Sequence, residues 1–319
     1  MFPRRHGPKS LNGAVGFDRA DRVSYGDPTD DYIGQTLPGQ VRIVRRLDSG
    51  GAGSIYLGEA PPRVPDGRPE PVAIKILDAG DHQEVNLGLR KFQAEASITG
   101  LLRHPGIVKI YGHGRTYDGA PYLILELLEG ETLGARLARG PLGPEPTRHL
   151  LYAAADALAE AHGLGIVHRD LSPNNLFLAR GPLGERLKVL DFGNARVRTQ
   201  ALEARPEDAD ADWGGTPDYM APELAAAQPV DVRADLYSLG AIAFECLAGR
   251  PPFVGAPTQV LLQHAKAPVP PLSSLGVALD PRFEAVIMQL LEKRPTDRPA
   301  HAGALREALA KLWTNPLSS

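Results

Sequence analysis

The stretch IVHRDLSPNNLFL, residues 166–178, decides the fold of this chain. Asp170 and Asn175 flank a short loop in it, between two apolar runs that are typical of strands. A carboxylate in such a loop could accept a proton from an attacking hydroxyl, and a nearby amide oxygen could bind Mg²⁺. Because single polar residues in surface turns are common, the surrounding segments decide between a catalytic loop and an ordinary turn.

Two segments on either side carry further charged groups. Downstream, LKVLDFGNA (187–195) places Asp191 at the end of an apolar strand and before a glycine, in a turn that could hold a hard cation. Upstream, PVAIKIL (71–77) is a strand-like run interrupted by Lys75, whose burial would be costly without a partner. Glu95, on the helix predicted after this strand, could form that ion pair, whereas a solvent-facing lysine is the simpler alternative.

A glycine cluster precedes Lys75, in LDSGGAGSIYLGEA (47–60). Glycines between two strands let backbone N–H groups approach phosphate oxygens, because no Cβ intervenes. This segment alone does not separate a phosphate-binding loop from an ordinary hairpin turn. It is not a Walker A loop, since no Gly-Lys-Ser/Thr follows, and not a Rossmann fingerprint, since a strand follows it instead of a helix.

The chain divides into a β-rich and an α-rich part. Strand-like runs and one interrupting helix occupy residues from about 37 to 128, and helical periodicity dominates from about 129 to 313. In the second part, HLLYAAADALAEAHGLG (149–165) places Leu150, Leu151, Ala154, Leu158 and Ala161 on one apolar stripe of a predicted helix. Residues 1–36 are rich in Gly, Asp, Arg and Pro without a sustained period, which predicts a flexible tail, and 314–319 form a C-terminal tail. The sequence therefore predicts an α+β fold, with a small β-rich N-lobe that has one key helix and a larger α-rich C-lobe.

Together these segments resemble the eukaryotic-like, or Hanks-type, protein kinase family in its bacterial Ser/Thr branch. The matching motifs, in family order, are the glycine-rich loop, VAIK, FQAEA, HRDLSPNN, DFG, GTPDYMAPE, DLYSLG and DRP, over residues 41–313. The resemblance implies the two-lobed protein-kinase fold. It also implies transfer of the γ-phosphoryl group of ATP to Ser/Thr hydroxyls of proteins, with autophosphorylation.

The resemblance further implies how ATP would be held. Gly50 and Gly53 would cover its phosphates, and Lys75 would contact the α- and β-phosphates while paired with Glu95. The adenine would be sandwiched by Leu47, Ile55, Ala73 and Phe177 and hydrogen-bonded by the backbones of Glu126 and Leu128, next to a gatekeeper-like Leu125.

Three residues would carry the chemistry in a member of this family. Asp191 and Asn175 would bind Mg²⁺, or Mn²⁺ in its place, and Asp170 would orient the substrate hydroxyl and accept its proton. Catalysis would consist mainly of positioning and charge neutralisation around a loose phosphoryl transition state.

Other matched residues would bind substrate, regulate the enzyme or support the fold. Thr216 of GTPDYMAPE would bridge to Asp170 beside the peptide, and its GT motif favours Ser/Thr over Tyr as acceptor. Arg169 would be held by a phosphate in the activation segment, where Thr199 is the freer threonine. The structural residues implied are His168, Glu223, Asp235 and Arg298, with Glu223 and Arg298 as a buried pair.

Several positions depart from the family pattern. Asp48 replaces the first glycine of the loop, and Ser172 replaces a lysine that touches the γ-phosphate. Thr99 stands where an apolar helix residue usually packs on Phe192. The segment EARPEDADAD (203–212) is acidic, which predicts either a solvated loop or acids that partly substitute for a phosphate.

Two other functions stay open on the sequence. A pseudokinase, which would respond to nucleotide without catalysis, is compatible with Asp48 and Ser172. The intact residues Lys75, Asp170, Asn175 and Asp191 argue against it. A small-molecule phosphotransferase would share the ATP site but lack the peptide-binding GTPDYMAPE segment.

Composition argues against some classes of partner. The formal net charge is −3 in 319 residues, which disfavours binding of nucleic acid or a membrane surface through bulk charge. No run of about 18 apolar residues is present, so no membrane span is expected. The single cysteine, Cys246, excludes an intramolecular disulfide. We therefore expect a cytoplasmic enzyme whose partners are ATP, Ser/Thr-containing proteins and, for autophosphorylation in trans, a second copy of itself.

Overall fold

The computed structural model describes residues 16–17, 30–50, 53–62, 67–77, 92, 95–182, 184–197 and 216–314. These residues form a lobe built on a β-sheet, followed by a helical lobe. The predicted α+β class and two-lobed fold are thus confirmed. In the part of the chain that is described, no helix is both long and apolar enough to cross a membrane.

Strands dominate the first half of the described chain. Their bounds are β1 Gly16–Phe17, β2 Thr36–Leu37, β3 Val41–Gly50, β4 Gly53–Ala60, β5 Glu70–Ile76, β6 Ile110–Arg115, β7 Pro121–Glu126, β8 Leu128–Thr132, β9 Ile166–Val167, β10 Leu176–Gly181, β11 Gly184–Val189 and β12 Arg196–Val197. The N-lobe sheet is antiparallel, in the order β2-β3-β4-β5-β7-β6. A second sheet, in the order β1-β8-β10-β11, lies at the junction with the C-lobe, and β12 pairs with β9.

Helices dominate the second lobe. Their bounds are α1 Leu133–Leu137, α2 Pro144–Gly163, α3 Pro222–Ala225, α4 Arg233–Ala248, α5 Pro257–Lys266, α6 Pro281–Leu290 and α7 Ala302–Thr314. The N-lobe helix predicted around Glu95 is described as helical at residue 92 and at residues 95–99. Helix α4 is apolar on most sides and almost entirely buried, as expected of a helix at the centre of a lobe.

Strand β5 sets the side of the sheet on which Lys75 lies. Successive side chains of a strand point to opposite faces, and Val72 and Ile76 pack in the apolar cluster on one face. Ala73 lies in a different cluster, which joins sheet residues to C-lobe residues such as Phe177. Because Lys75 shares the face of Ala73, the alternation directs its ammonium into the cleft between the lobes.

The apolar stripe predicted for α2 is confirmed. Its members, Leu150, Leu151, Ala154, Leu158 and Ala161, are all buried in the large cluster of the C-lobe. In this cluster α2 packs against α4 and α7. The packed helices lie next to residues 166–175, the predicted catalytic loop.

Part of the predicted tail packs on the N-lobe. The Tyr32 hydroxyl donates a hydrogen bond to Asp118 at 2.8 Å, and its ring meets the Tyr56 ring edge-on with centroids 5.9 Å apart. Residues 30–36 therefore depart from the flexible tail that their composition predicts. The tertiary contacts of one aromatic side chain outweigh the lack of apolar periodicity.

The other described part of the predicted tail is β1. It pairs in parallel with the start of β8, where Gly16 lies opposite Leu128 and Phe17 opposite Glu129. The prediction of flexibility for the rest of residues 1–29, and for the C-terminal tail after Thr314, falls outside the described residues.

Candidate active site

A lysine and two carboxylates meet in the cleft between the lobes. The Lys75 Nζ lies 2.9 Å from the Glu95 Oε2 and 3.4 Å from the Asp191 Oδ2. Lys75 comes from β5, Glu95 from the N-lobe helix and Asp191 from the turn after β11. The fold thus brings together three predicted residues from distant segments, and the lysine has the partners that its burial requires.

The electrostatics of this cluster keep the lysine charged. Burial alone would lower the pKa of Lys75, but the Asp191 and Glu95 carboxylates raise it above its ordinary value. Burial raises the pKa of Glu95 to about 7, against the opposing effect of the lysine. Burial also opposes ionisation of Asp191, yet the Lys75 charge and the Gly193 N–H hold the pKa of Asp191 below its usual range. Asp191 is therefore the more acidic carboxylate and the better ligand for a cation.

The glycine-rich loop is a hairpin between β3 and β4. Gly50 pairs with Gly53 at the loop end of the two strands, and Ile55 pairs with Lys75 on the neighbouring strand β5. Gly53 has a φ of +145°, and a Cβ there would lie 2.1 Å from the Ile76 carbonyl oxygen, so the position requires glycine. The loop is a hairpin whose second strand runs beside Lys75, which is the placement that a phosphate-covering loop needs.

Three of the predicted adenine contacts lie in one apolar cluster between the lobes. They are Ala73, Leu128 and Phe177, buried together with the gatekeeper-like Leu125. The two other predicted apolar contacts lie outside this cluster: Ile55 is buried on β4, and Leu47 is half-buried on β3. Apolar residues from both lobes therefore line the place where the sequence predicts the adenine.

Glu126, at the end of β7, uses its side chain to tie strands together. Its carboxylate accepts a hydrogen bond from the Lys188 ammonium at 2.5 Å and from the Lys109 N–H at 2.8 Å. The predicted adenine contact of Glu126 involves only its backbone, so these side-chain contacts are compatible with it.

The catalytic loop and the turn at Asp191 each have a residue with an uncommon backbone conformation. Arg169 has a φ of +69° and Asp191 a φ of +56°, a region that residues with a side chain rarely populate. The Asn175 amide nitrogen donates to the Asp170 carbonyl at 2.7 Å, which closes the loop. Such conformations persist where surrounding contacts over-determine them, and they are frequent at active sites.

The two oxygens of the Asp170 carboxylate have different surroundings. Oδ2 accepts a hydrogen bond from the Asn194 side-chain amide at 2.9 Å, whereas Oδ1 is buried and has no partner among the described residues. Burial raises the pKa of Asp170 to about 6, although His168, the Asn194 amide and the Thr216 backbone act in the opposite direction. A buried carboxylate with a raised pKa, one of whose oxygens accepts no hydrogen bond from the described residues, can serve as a general base.

Contacts of Asp235 and of His168 hold the catalytic loop in place. Asp235 is buried and accepts the backbone N–H groups of His168 and Arg169, each at 2.9 Å. The His168 ring packs on the Phe192 ring with centroids 4.7 Å apart. These are the contacts of supporting residues rather than of a proton-transfer group.

A buried ion pair lies behind the predicted peptide-binding segment. Arg298 donates two hydrogen bonds to the Glu223 carboxylate, at 2.6 and 2.9 Å. Thr216 precedes the short 3₁₀ turn Pro217–Tyr219, which leads into α3 and so to Glu223. The pair therefore anchors the end of that segment to the C-terminal part of the lobe.

The departures from the family pattern have distinct surroundings. Asp48 is exposed, and its carboxylate accepts the Ser49 N–H at 2.8 Å. Ser172 is buried within the catalytic loop. Thr99 is also buried, and its hydroxyl has no hydrogen-bond partner among the described residues. A buried hydroxyl in this state costs free energy, so Thr99 is an unfavourable residue at this position of the helix that carries Glu95.

Two predicted regulatory elements fall outside the described residues. They are Thr199 and the acidic segment 203–212. Arg169 itself is described, and its backbone is held by Asp235. The pairing of Arg169 with a phosphate or with those acids therefore stays a prediction.

Two residues of the site were not predicted. His162 on α2 contacts the Asp235 carboxylate at 2.9 Å and accepts the Ala302 N–H at 3.3 Å, so it joins three helices beneath the loop. The sequence feature that could have drawn attention to His162 is its position at the end of the apolar stripe of α2. Asn194 follows DFG without any pattern of its own, and only the folded chain brings it to Asp170.

The donor atoms fit a divalent cation and a hydroxyl substrate. Asp191 offers carboxylate oxygens, and since the Asn175 nitrogen is used in a hydrogen bond, its oxygen is the atom that a metal would contact. Oxygen donors of this kind are those that Mg²⁺ takes, with waters and phosphates as its other ligands. The buried Oδ1 of Asp170 would be satisfied by a substrate hydroxyl.

Comparison with known proteins identifies relatives over most of the chain. Residues 42–314 match the family model described as protein kinase domain. Serine/threonine-protein kinase pkn2 and Serine/threonine-protein kinase Pkn1, both of Myxococcus xanthus, are 40% identical over 281 residues and 42% identical over 274 residues. Serine/threonine-protein kinase PknB of Mycolicibacterium smegmatis is 35% identical over 247 residues. The three alignments cover 86%, 85% and 76% of this chain but 32%, 38% and 38% of the relatives, so the chain spans about a third of their length.

Proposed function

The chain belongs to the protein kinase domain family, and on this premise we propose that it transfers the γ-phosphoryl group of ATP to serine and threonine hydroxyls of proteins. One observation carries the proposal: Lys75, Glu95 and Asp191 meet in the cleft between the lobes. The same cleft holds Asp170, whose Oδ1 is buried and without a partner among the described residues. A cation for phosphates and an acceptor for a proton are thus present together.

Each residue has a task in the transfer. Lys75, charged within its pair, would hold the α- and β-phosphates of ATP. The substrate hydroxyl would give its proton to the Oδ1 of Asp170 while its oxygen forms a bond to the γ-phosphorus. The bond between that phosphorus and the β,γ-bridging oxygen breaks, and ADP leaves with its electron pair. Positioning and charge neutralisation would supply most of the rate, because the protein forms no covalent intermediate.

Asp191 and Asn175 are the proposed ligands of the divalent cation, which we assign as Mg²⁺, with Mn²⁺ as a substitute. A bound ion would supply positive charge at the phosphate oxygens. Support comes from the oxygen donors and from the Lys75 charge, which helps to hold the pKa of Asp191 low against the effect of burial. Equal thermal stabilisation by ATP with and without Mg²⁺ would contradict this assignment and favour a nucleotide-responsive pseudokinase.

The surroundings of Asp170 favour a protein substrate with a Ser or Thr acceptor. The backbone of Thr216 lies close enough to the Asp170 carboxylate to act against the rise in its pKa that burial causes. The Glu223–Arg298 pair anchors the segment that begins at Thr216. An enzyme that phosphorylates small molecules would not need a peptide-binding segment anchored in this way.

Phosphorylation of Thr199 is the proposed means of activation. A phosphothreonine adds close to two negative charges, so it can order the activation segment by pairing with Arg169. This phosphorylation could occur in trans within a homodimer. In the competing hypothesis the acids at Glu207, Asp208, Asp210 and Asp212 already supply the charge. Full activity of Thr199→Ala, together with loss of activity when those acids are neutralised, would favour the acids.

The test of the proposed function is transfer from labelled ATP and Mg²⁺, with phosphosites mapped by mass spectrometry. Asp170→Asn and Lys75→Met should each lower the rate by on the order of a thousandfold while circular dichroism shows a folded protein. The matched changes Asp297→Asn and Lys266→Met, at exposed positions, should keep the wild-type rate. A wild-type rate in Asp170→Asn or Lys75→Met would overturn the proposed mechanism.

A further inference from the structure

Asn194 follows the Asp191–Gly193 turn directly, and its side chain reaches the carboxylate that the proposed function makes the base. Its Nδ2 lies 2.9 Å from the Asp170 Oδ2, within the range of a hydrogen bond to a charged acceptor. The other carboxylate oxygen, Oδ1, is buried and has no partner among the described residues. One oxygen of the base is therefore held, and among the described residues the other has no donor, so it could accept a hydrogen bond from a substrate hydroxyl.

We propose that Asn194 is a positioning residue for phosphoryl transfer, which holds the Oδ2 of Asp170 and so directs Oδ1 at the substrate hydroxyl. The inference rests on the proposed kinase function. Rotation about the bond to an Asp carboxyl group is only weakly restricted by its own rotamer preference. A hydrogen bond to one oxygen therefore decides where the second oxygen points.

The turn before Asn194 fixes the place from which its amide acts. Asp191 has a φ of +56°, and its Oδ1 accepts the Gly193 N–H at 3.0 Å, which closes the turn. Phe192 is fully buried and packs on the His168 ring. Because the residues before Asn194 are held in this way, its short side chain has a defined position relative to the catalytic loop.

The turn at Asp191–Gly193 and the residue after it contact two different groups of the site. Asp191 faces the Lys75 ammonium at 3.4 Å, and three residues later Asn194 faces the Asp170 carboxylate. The side chain that meets the base is an amide, which can donate through its nitrogen only. The nitrogen of the Asn194 amide must therefore face the Asp170 carboxylate. A carboxylate at position 194 would instead repel it.

Asn194→Leu is the main test, because leucine has nearly the same branched shape and no donor. The kcat for a peptide substrate should fall about tenfold, as expected for one lost hydrogen bond to a charged group. The KM for ATP and for peptide should stay within about twofold, because Asn194 acts through the base. Asn194→Asp, with an acceptor facing the carboxylate, should lose more activity. Asn194→Gln keeps a donor and should recover most of the kcat.

The outcomes separate this inference from the proposed function. If the wild type transfers no phosphate, the proposed function fails, and the inference fails with it. If the wild type is active and Asn194→Leu keeps its kcat, only the positioning role is overturned. An equal loss in Asn194→Gln, or a matching loss of ATP affinity by thermal shift, would also overturn it, since the residue would then act through the fold or through Asp191. Should the leucine variant not fold, Asn194→Ala tests the same contact with the same expected and contrary results.

Discussion

Arg298 meets Glu223 through two hydrogen bonds in the interior of the C-lobe, at 2.6 and 2.9 Å. It also donates to the backbone carbonyls of Arg233, Glu292 and Lys293, at 3.0, 2.8 and 3.1 Å. A guanidinium has five N–H groups, and each of them has an acceptor here. The pair therefore satisfies a buried charge completely while it joins segments from distant parts of the chain.

Removal of one member of this pair should destabilise the protein strongly. Arg298→Met should lower the free energy of unfolding by about 3–5 kcal/mol, because Glu223 is left buried without its counter-charge. The double variant Arg298→Met, Glu223→Leu should be more stable than the single one, since no buried charge remains. Urea denaturation followed by circular dichroism measures both. Arg294→Met is the matched control: its side chain is 81% exposed, so the midpoint should not move.

Thr99 offers a stabilising change beside the active site. It is 3% exposed, and its hydroxyl has no partner among the described residues. Thr99→Val keeps the shape and removes the hydroxyl, so the free energy of unfolding should rise by about 1 kcal/mol. Thr116 is also buried, but its hydroxyl is hydrogen-bonded to Asp118 and to the Ala120 carbonyl. Thr116→Val should therefore destabilise the protein, and the same sign for both variants would contradict the argument.

Tyr32 tests whether residues on the N-terminal side of the predicted domain boundary contribute to the stability of the fold. Its hydroxyl bonds to Asp118 and its ring packs on Tyr56. Tyr32→Ala should lower the free energy of unfolding by about 1–3 kcal/mol, through lost burial and a lost hydrogen bond. Tyr117 lies nearby in the same lobe but is 75% exposed, so Tyr117→Ala should have little effect. Equal melting temperatures for wild type and Tyr32→Ala would show that residues 30–36 are not required by the fold.

Local patterns predicted those parts of the structure that depend on short-range periodicity. The alternation around Lys75 placed it on a strand, and the fold shows that the same alternation turns it into the cleft. The stripe that includes Leu151 and Leu158 predicted the buried face of α2. Lys75 and Glu95 could be paired in advance because a strand and the next helix are neighbours in the chain.

The remaining contacts depend on the three-dimensional path of the chain. Asn194 and Asp170 are 24 positions apart, and no period or composition links them. Tyr32 lies in a segment whose composition is that of a tail, but a few specific contacts with Tyr56 and Asp118 hold it. Such contacts are set by tertiary packing, which overrides local propensity.

His264 is a buried neutral histidine on α5. Its Nδ1 lies 2.8 Å from the Tyr237 hydroxyl, and its Nε2 lies 3.0 Å from the Asp218 carbonyl. A carbonyl can only accept, so Nε2 carries the proton and Nδ1 accepts from the tyrosine. The neutral ring thus satisfies both partners. Burial and the nearby charge of Lys293 lower the pKa of His264 to about 4.

The stability of the protein should therefore fall on acidification through this group. Between about pH 4 and pH 6.5 the unfolded chain binds a proton at His264 that the native state excludes. Above pH 6.5 the neutral His264 side chain makes its full contribution to the free energy of unfolding. As the pH falls to about 4, the free energy of unfolding decreases by about 3 kcal/mol through this group. His264→Gln keeps a donor for the Asp218 carbonyl but does not titrate. All other titrating groups are the same in both proteins, so their effect on the pH dependence of stability should be similar. The difference in unfolding free energy between wild type and His264→Gln, measured by urea denaturation at several pH values, should thus shrink from pH 7 to pH 4. A difference that stays constant over this range would show that His264 is not held neutral by its surroundings.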